Sequence, residues 1–178
     1  NKEILFWLNP PFHSLEQGTR LSLNTYQKKF AEPQKGHYRV RGVAGSGKTQ
    51  VWAYRAGNLA SQGYRVLILS FNITLWHYIR DMVQRSPFGF GWDRFTFNHF
   101  HGFCKDILNE FGEKWPTESG DDEATFKEIV PNKVLEVIQR GSYEKYDAIF
   151  IDEGQDYYIE WYSMLCHFLT PRDEVVVV

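Results

Sequence analysis

Three stretches dominated by apolar residues constrain this chain most. Residues 65–71 read RVLILSF, residues 146–151 read YDAIFI, and residues 175–178 are four valines. Each is too short for a helix and apolar at successive positions, the pattern of a strand buried on both faces. Helical spacing fills the segments between them. It covers residues 48–62, closed by Gly63, then 74–84, 100–111, 123–139 with a break expected at Pro131, and 159–169. Residues 38–43 read as a first strand, 94–97 as a further short strand and 23–31 as a short helix, with a loop over 86–93. Strands alternating with helices predict an α/β fold: a parallel sheet with helices on both faces, ligands binding at the carboxyl ends of the strands.

The 178 residues suit one domain with a substantial core. Residues 1–22 hold Pro10, Pro11 and Gly18 and read as an irregular lead-in, which leaves 23–178 as the domain. A start at Asn1 and a finish in a bare valine strand are what a fragment of a longer protein would show. The formal net charge of −2 excludes a global basic field, so any nucleic-acid contact must be a local groove. Cys104 and Cys166 form no CxxC pair, which argues against zinc and for a reduced, cytoplasmic setting. No apolar run reaches the roughly 18 residues that cross a bilayer, so no membrane partner is expected.

Residues 42–49, GVAGSGKT, fit G-x-x-x-x-G-K-[ST] between a strand and a helix. Gly42, Gly45 and Gly47 let successive backbone N–H groups approach phosphate oxygens, with Ser46 between them and Gln50 just beyond. The following helix aims its positive end at the same anion. Lys48 is placed to reach the β- and γ-phosphates and the Thr49 hydroxyl to bind Mg²⁺. The second half of such a site is IFIDEGQD, residues 149–156. Asp152 ends a buried strand, expected beside the phosphate-loop strand, where a carboxylate can hold Mg²⁺. Glu153 can orient and deprotonate an attacking water. Gln155 can sense the γ-phosphate, and Asp156 reads as a helix N-cap. A P-loop ATPase using ATP and Mg²⁺ fits this pair better than a nucleotide kinase, because no Arg-rich lid segment lies between the two motifs.

Together these motifs resemble the first RecA-like domain of superfamily 1 helicases of the UvrD/Rep type. Residues 23–27, LNTYQ, look like the family's L-N-x-x-Q segment, which implies that Gln27 reads adenine. GVAGSGKT and IDEGQD resemble the family's phosphate loop and its V-D-E-[AF]-Q-D, with Gly154 at the variable position. VLILSFNITL, residues 66–75, resembles a segment that contacts single-stranded DNA, which implies Phe71, Asn72 and Thr74 as contacts. TFNHFHGFC, residues 96–104, resembles T-F-H-S-F-C, which implies Phe97 and either His99 or His101. Rings stacking on bases along a cationic groove are how single strands are held. The resemblance also implies a second RecA-like domain in the same parent chain, supplying arginines to the ATP site, and motion along single-stranded DNA. The accessory domain that larger members insert before the acidic motif is small or missing. An ATPase module that does not unwind DNA, regulatory or nuclease-associated, is the alternative. Lys28, Lys29, Lys35, Arg39 and Arg41 read as a solvated basic face, with Arg41 able to approach a nucleotide.

Overall fold

The computed structural model describes residues 19–43, 45–71, 76–116 and 125–178. Five strands form one sheet among these residues: β1 (Gly36–Arg39), β2 (Val66–Ser70), β3 (Phe95–Asn98), β4 (Tyr146–Asp152) and β5 (Leu169–Val177). The order is β1-β5-β4-β2-β3 and every pairing is parallel, as alternation with helices requires. The helices are α1 (Thr25–Ala31), α2 (Lys48–Ser61), α3 (Trp76–Gln84), α4 (Phe100–Glu110), α5 (Val130–Ile138) and α6 (Ile159–Cys166).

The strands alternate between two cores. Leu67, Leu69, Ile149, Ile151 and Val175 face the core made with α4, α5 and α6. Val66, Ile68, Ala148, Phe150 and Val176 face the one made with α2 and α3. A period of two buried on both sides is why these runs look uniformly apolar. Pro131 starts α5 instead of breaking it, and a π-helical turn, Thr125–Ile129, precedes it. Proline is tolerated there because a first-turn N–H has no intrahelical partner.

Three expectations need correction. β5 begins at Leu169, well before the valines: Leu169 pairs with Tyr146, the register shifts over residues 170–173, and Glu174 resumes pairing with Gly36 and Ala148. β4 does not lie beside β1, since β5 is hydrogen-bonded between them. Asp156 caps no helix: it sits in a 3₁₀ turn, Gly154–Asp156, and α6 starts after Tyr158. In the lead-in, residues 19–22 have no regular structure, but Leu21 is buried and its N–H donates to the Arg85 carbonyl at 2.8 Å. Residues 1–18 of that lead-in lie outside the described residues. No helix of the described residues is long and apolar enough to cross a membrane.

Candidate functional site

β1 and β4 both deliver their carboxyl ends to one edge of the sheet, and α2 begins there. A cavity of about 470 Å³ opens at this edge, lined by Gly42, Gly45, Lys48, Thr49, Asp152, Glu153 and Gln155 together with Arg39, Val40, Arg41 and Val178. Residues about a hundred positions apart in sequence thus share one wall. Gly47 has φ +81°, a left-handed conformation that side chains other than glycine's rarely adopt. A Cβ there would also lie 2.6 Å from Gln27 Nε2. The loop's sharp entry into α2 therefore requires glycine at this position. Lys48 Nζ donates to the carbonyls of Gly42 (3.0 Å) and Val43 (3.2 Å), which holds the ammonium across the loop.

Asp152 is only 7 % exposed. Burial first, and the charge of Glu153 second, push its carboxyl up to about 6, against the opposing pull of the Glu153 backbone N–H and Lys48. A buried carboxylate with one hydroxyl nearby suits Mg²⁺, which keeps most of its waters and takes few protein ligands. Glu153 is exposed, sits at φ +53°, and its carboxylate accepts from Gln155 Nε2. Gly154 follows. Its N–H donates to the Val178 carbonyl at 2.8 Å, and a Cβ there would collide with the Val177 side chain. The acidic turn is thereby clamped to the end of β5, the strand that separates it from the phosphate-loop strand.

Beside the first cavity lies a second, about 440 Å³ and more apolar, lined by Tyr26, Gln27, Phe30, Tyr38, Ser46 and Val51 among others. Gln27 forms a capping box with Asn24: its N–H donates to Asn24 Oδ1 (2.9 Å) and its Oε1 accepts from the Asn24 N–H (3.0 Å). Its Nε2 reaches the Ser46 carbonyl at 3.5 Å, so α1 touches the phosphate loop through this residue. Gln50 stands on the first turn of α2 next to Gly47, outside the lining of both cavities. Arg41 lines both cavities, as does Arg39, which the sequence placed on a solvated face.

The residues implied for nucleic acid are spread more widely. Phe71 follows β2 and is 48 % exposed. Phe97 and His99, at the carboxyl end of β3, line a cavity of about 80 Å³ with Ser70, Trp76 and Asn98. Phe97 also packs in a row of rings with Trp76, Trp92 and Phe95, at centroid distances of 6.3, 6.0 and 5.7 Å. The Arg80 guanidinium lies 4.7 Å over Trp92. His101 is elsewhere. Its ring meets Phe126 (4.8 Å) and Trp161 (5.0 Å), and burial, helped by His99, lowers its pKa. Asn72 and Thr74 lie outside the described residues.

The family model for the UvrD/REP helicase N-terminal domain matches residues 23–140. No curated protein and no solved structure matches the chain.

Proposed function

The chain belongs to the family of UvrD/REP helicase N-terminal domains, and we propose that it is the ATP-binding half of a motor that moves along single-stranded DNA. A domain of this family is a helicase-type ATP-binding domain, and its parent is an ATP-dependent helicase. The observation that carries the proposal is the single cavity shared by the phosphate loop and the acidic turn. In this reading the loop's N–H groups and Lys48 bind the β- and γ-phosphates, and Thr49 and Asp152 hold Mg²⁺. The cation supplies charge neutralisation between the phosphates. Glu153 orients the attacking water and accepts its proton, and Gln155, bonded to Glu153, stands where it can sense the γ-phosphate. Gln27 contacts adenine from the neighbouring apolar cavity.

A DNA path along the strand ends, with Phe71, Phe97 and His99 as contacts, is supported by their shared location at the carboxyl ends of β2 and β3. A second RecA-like domain would add the arginines that stabilise transition-state charge, so this chain alone should hydrolyse ATP slowly.

The test is ATP turnover by the full parent protein, with and without single-stranded DNA. Strong stimulation is expected, and Glu153→Gln should lower turnover by about a thousandfold while ATP still binds. Turnover indifferent to DNA would overturn the motor reading in favour of an ATP switch without unwinding.

A further inference from the structure

Arg55 lies on α2, two turns beyond Lys48, and is 3 % exposed. Its Nε donates to Glu174 Oε1 at 2.6 Å, and Glu174 on β5 is fully buried. Nη1 donates to the Phe30 carbonyl (3.3 Å) and Nη2 to the Gln34 carbonyl (2.9 Å). The guanidinium also lies 4.8 Å over the Tyr38 ring of β1. One planar side chain therefore joins four pieces of structure: the phosphate-loop helix, β5, the end of α1 with the turn that follows it, and β1.

Arg55 lines the apolar cavity beside the phosphate loop, together with Phe30 of α1 and Tyr38 of β1. A buried ion pair is a poor device for stability alone, since well-packed apolar residues serve a core as well. What the guanidinium adds is direction. Its fork fixes two backbone carbonyls, one of them in the last turn of α1, where carbonyls lack helical partners. α1 carries Gln27, which reaches back to the Ser46 carbonyl. The arginine thus ties α1 at its far end while Gln27 touches the loop from its near end. Glu174 keeps the fork in place and is itself held by Arg172 Nη2 at 2.8 Å.

We propose that Arg55, oriented by Glu174, is a positioning residue for the nucleobase end of the site: it holds α1 against the phosphate-loop helix and so sets where Gln27 and Tyr26 stand. The inference rests on the nucleotide reading above. It separates the two ends of the ligand, because the phosphate cradle is built from the loop's own backbone and Lys48.

The experiment compares binding of ATP and of inorganic tripolyphosphate, with Mg²⁺, to the wild-type chain and to Arg55→Lys, which keeps the charge and loses the fork. ATP affinity should fall about tenfold, the worth of one or two hydrogen bonds, with tripolyphosphate affinity unchanged. Glu174→Gln, isosteric and gentler on folding, should show the same split at smaller size. Gln27→Ala combined with Arg55→Lys should cost ATP affinity no more than Arg55→Lys alone, because both act through α1. Equal loss of ATP and tripolyphosphate, no loss of either, or strict additivity would each overturn the proposal. A wild-type chain that binds tripolyphosphate but shows no preference for ATP would also overturn it, leaving the phosphate site intact. A wild-type chain that binds neither ligand would overturn the nucleotide reading itself.

Discussion

The phosphate-loop edge of this sheet lies at the carboxyl ends of strands, the aromatic edge runs along β3 from the residues that precede it, and the two are made in opposite ways. At the phosphate loop the groups presented are chiefly backbone, amides of left-handed glycines and carbonyls that hold Lys48, with one buried side-chain carboxylate, Asp152, beside them. Along β3 and α3 the working surface is side chain, with Phe90, Trp92, Phe95 and Phe97 in contact edge to face or tilted and Arg80 laid over Trp92. A backbone site demands fixed spacing and tolerates few residue types. A packed aromatic surface needs only rings of roughly the right size from several elements. The first should therefore fail sharply at single positions, and the second gradually.

The sharpest break is expected at Lys48. Lys48→Ala removes the only lysine or arginine charge within the phosphate loop itself and should weaken triphosphate binding about a hundredfold or more, with little change in melting temperature. Isothermal titration with an ATP analogue reads this directly. Affinity within a fewfold of wild type would mean that the loop amides alone suffice and that the two edges differ less than their construction implies.

The same contrast explains what was legible in the sequence. The loop's eight-residue spacing located the start of α2 at Lys48, and Gly63 marked its end. Buried strands β2 and β4 announced themselves because both faces are apolar. β5 did so only in part. Pro171, Arg172 and Asp173 look like a loop and fall where the register shifts, while Leu169 before them pairs with Tyr146 and Glu174 after them pairs with Gly36 and Ala148, residues far away in sequence. The interposition of β5 between β1 and β4 has the same origin, since strand order is a long-range property. Arg55 and Glu174 carried no local signal either: 119 positions separate them, and each alone reads as a surface charge. His99 and His101 were indistinguishable as DNA contacts. The structure separates them, because one residue after His99 the chain enters α4 and turns His101 toward Phe126 and Trp161.

The next effect concerns Asp152 and has the opposite sign to ordinary damage. Its carboxyl titrates near 3.8 when free and is pushed to about 6 in the fold, chiefly by burial. The fold therefore favours the protonated form. The stability it contributes is complete below pH 4 and is lost as pH rises through 6. Asp152→Asn should accordingly raise the stability of the nucleotide-free, Mg²⁺-free protein at pH 7 by about 2–3 kcal/mol, since each tenfold change in proton affinity is worth roughly 1.4 kcal/mol. The gain should shrink toward zero near pH 4, and Mg²⁺-dependent ATP turnover should be lost. Thermal melts of both proteins in chelator across pH 4–8 make the comparison. A pH-independent gap would mean that the strain at this turn is conformational instead, as the left-handed φ of +53° at Glu153 would impose.

At the aromatic edge, effects should be smaller and divided between folding and binding. Trp92 touches three rings and the Arg80 guanidinium while keeping part of its surface in water. Trp92→Ala should cost about 2 kcal/mol of stability, less than a fully buried aromatic, and leave ATP affinity unchanged. Phe71 is the counter-case. It is 48 % exposed and sits where β2 has ended, so it contributes little to either core. Phe71→Ala should change stability by less than about 0.5 kcal/mol. If its ring stacks on a base, the same variant should weaken single-stranded DNA binding by about 1 kcal/mol, some fivefold, in the parent protein. An exposed ring whose loss alters neither quantity would remove Phe71 from the DNA path. A loss of stability comparable to that of Trp92 would instead place it with the packed row, and would show that the aromatic edge extends further toward the nucleotide than its exposure suggests.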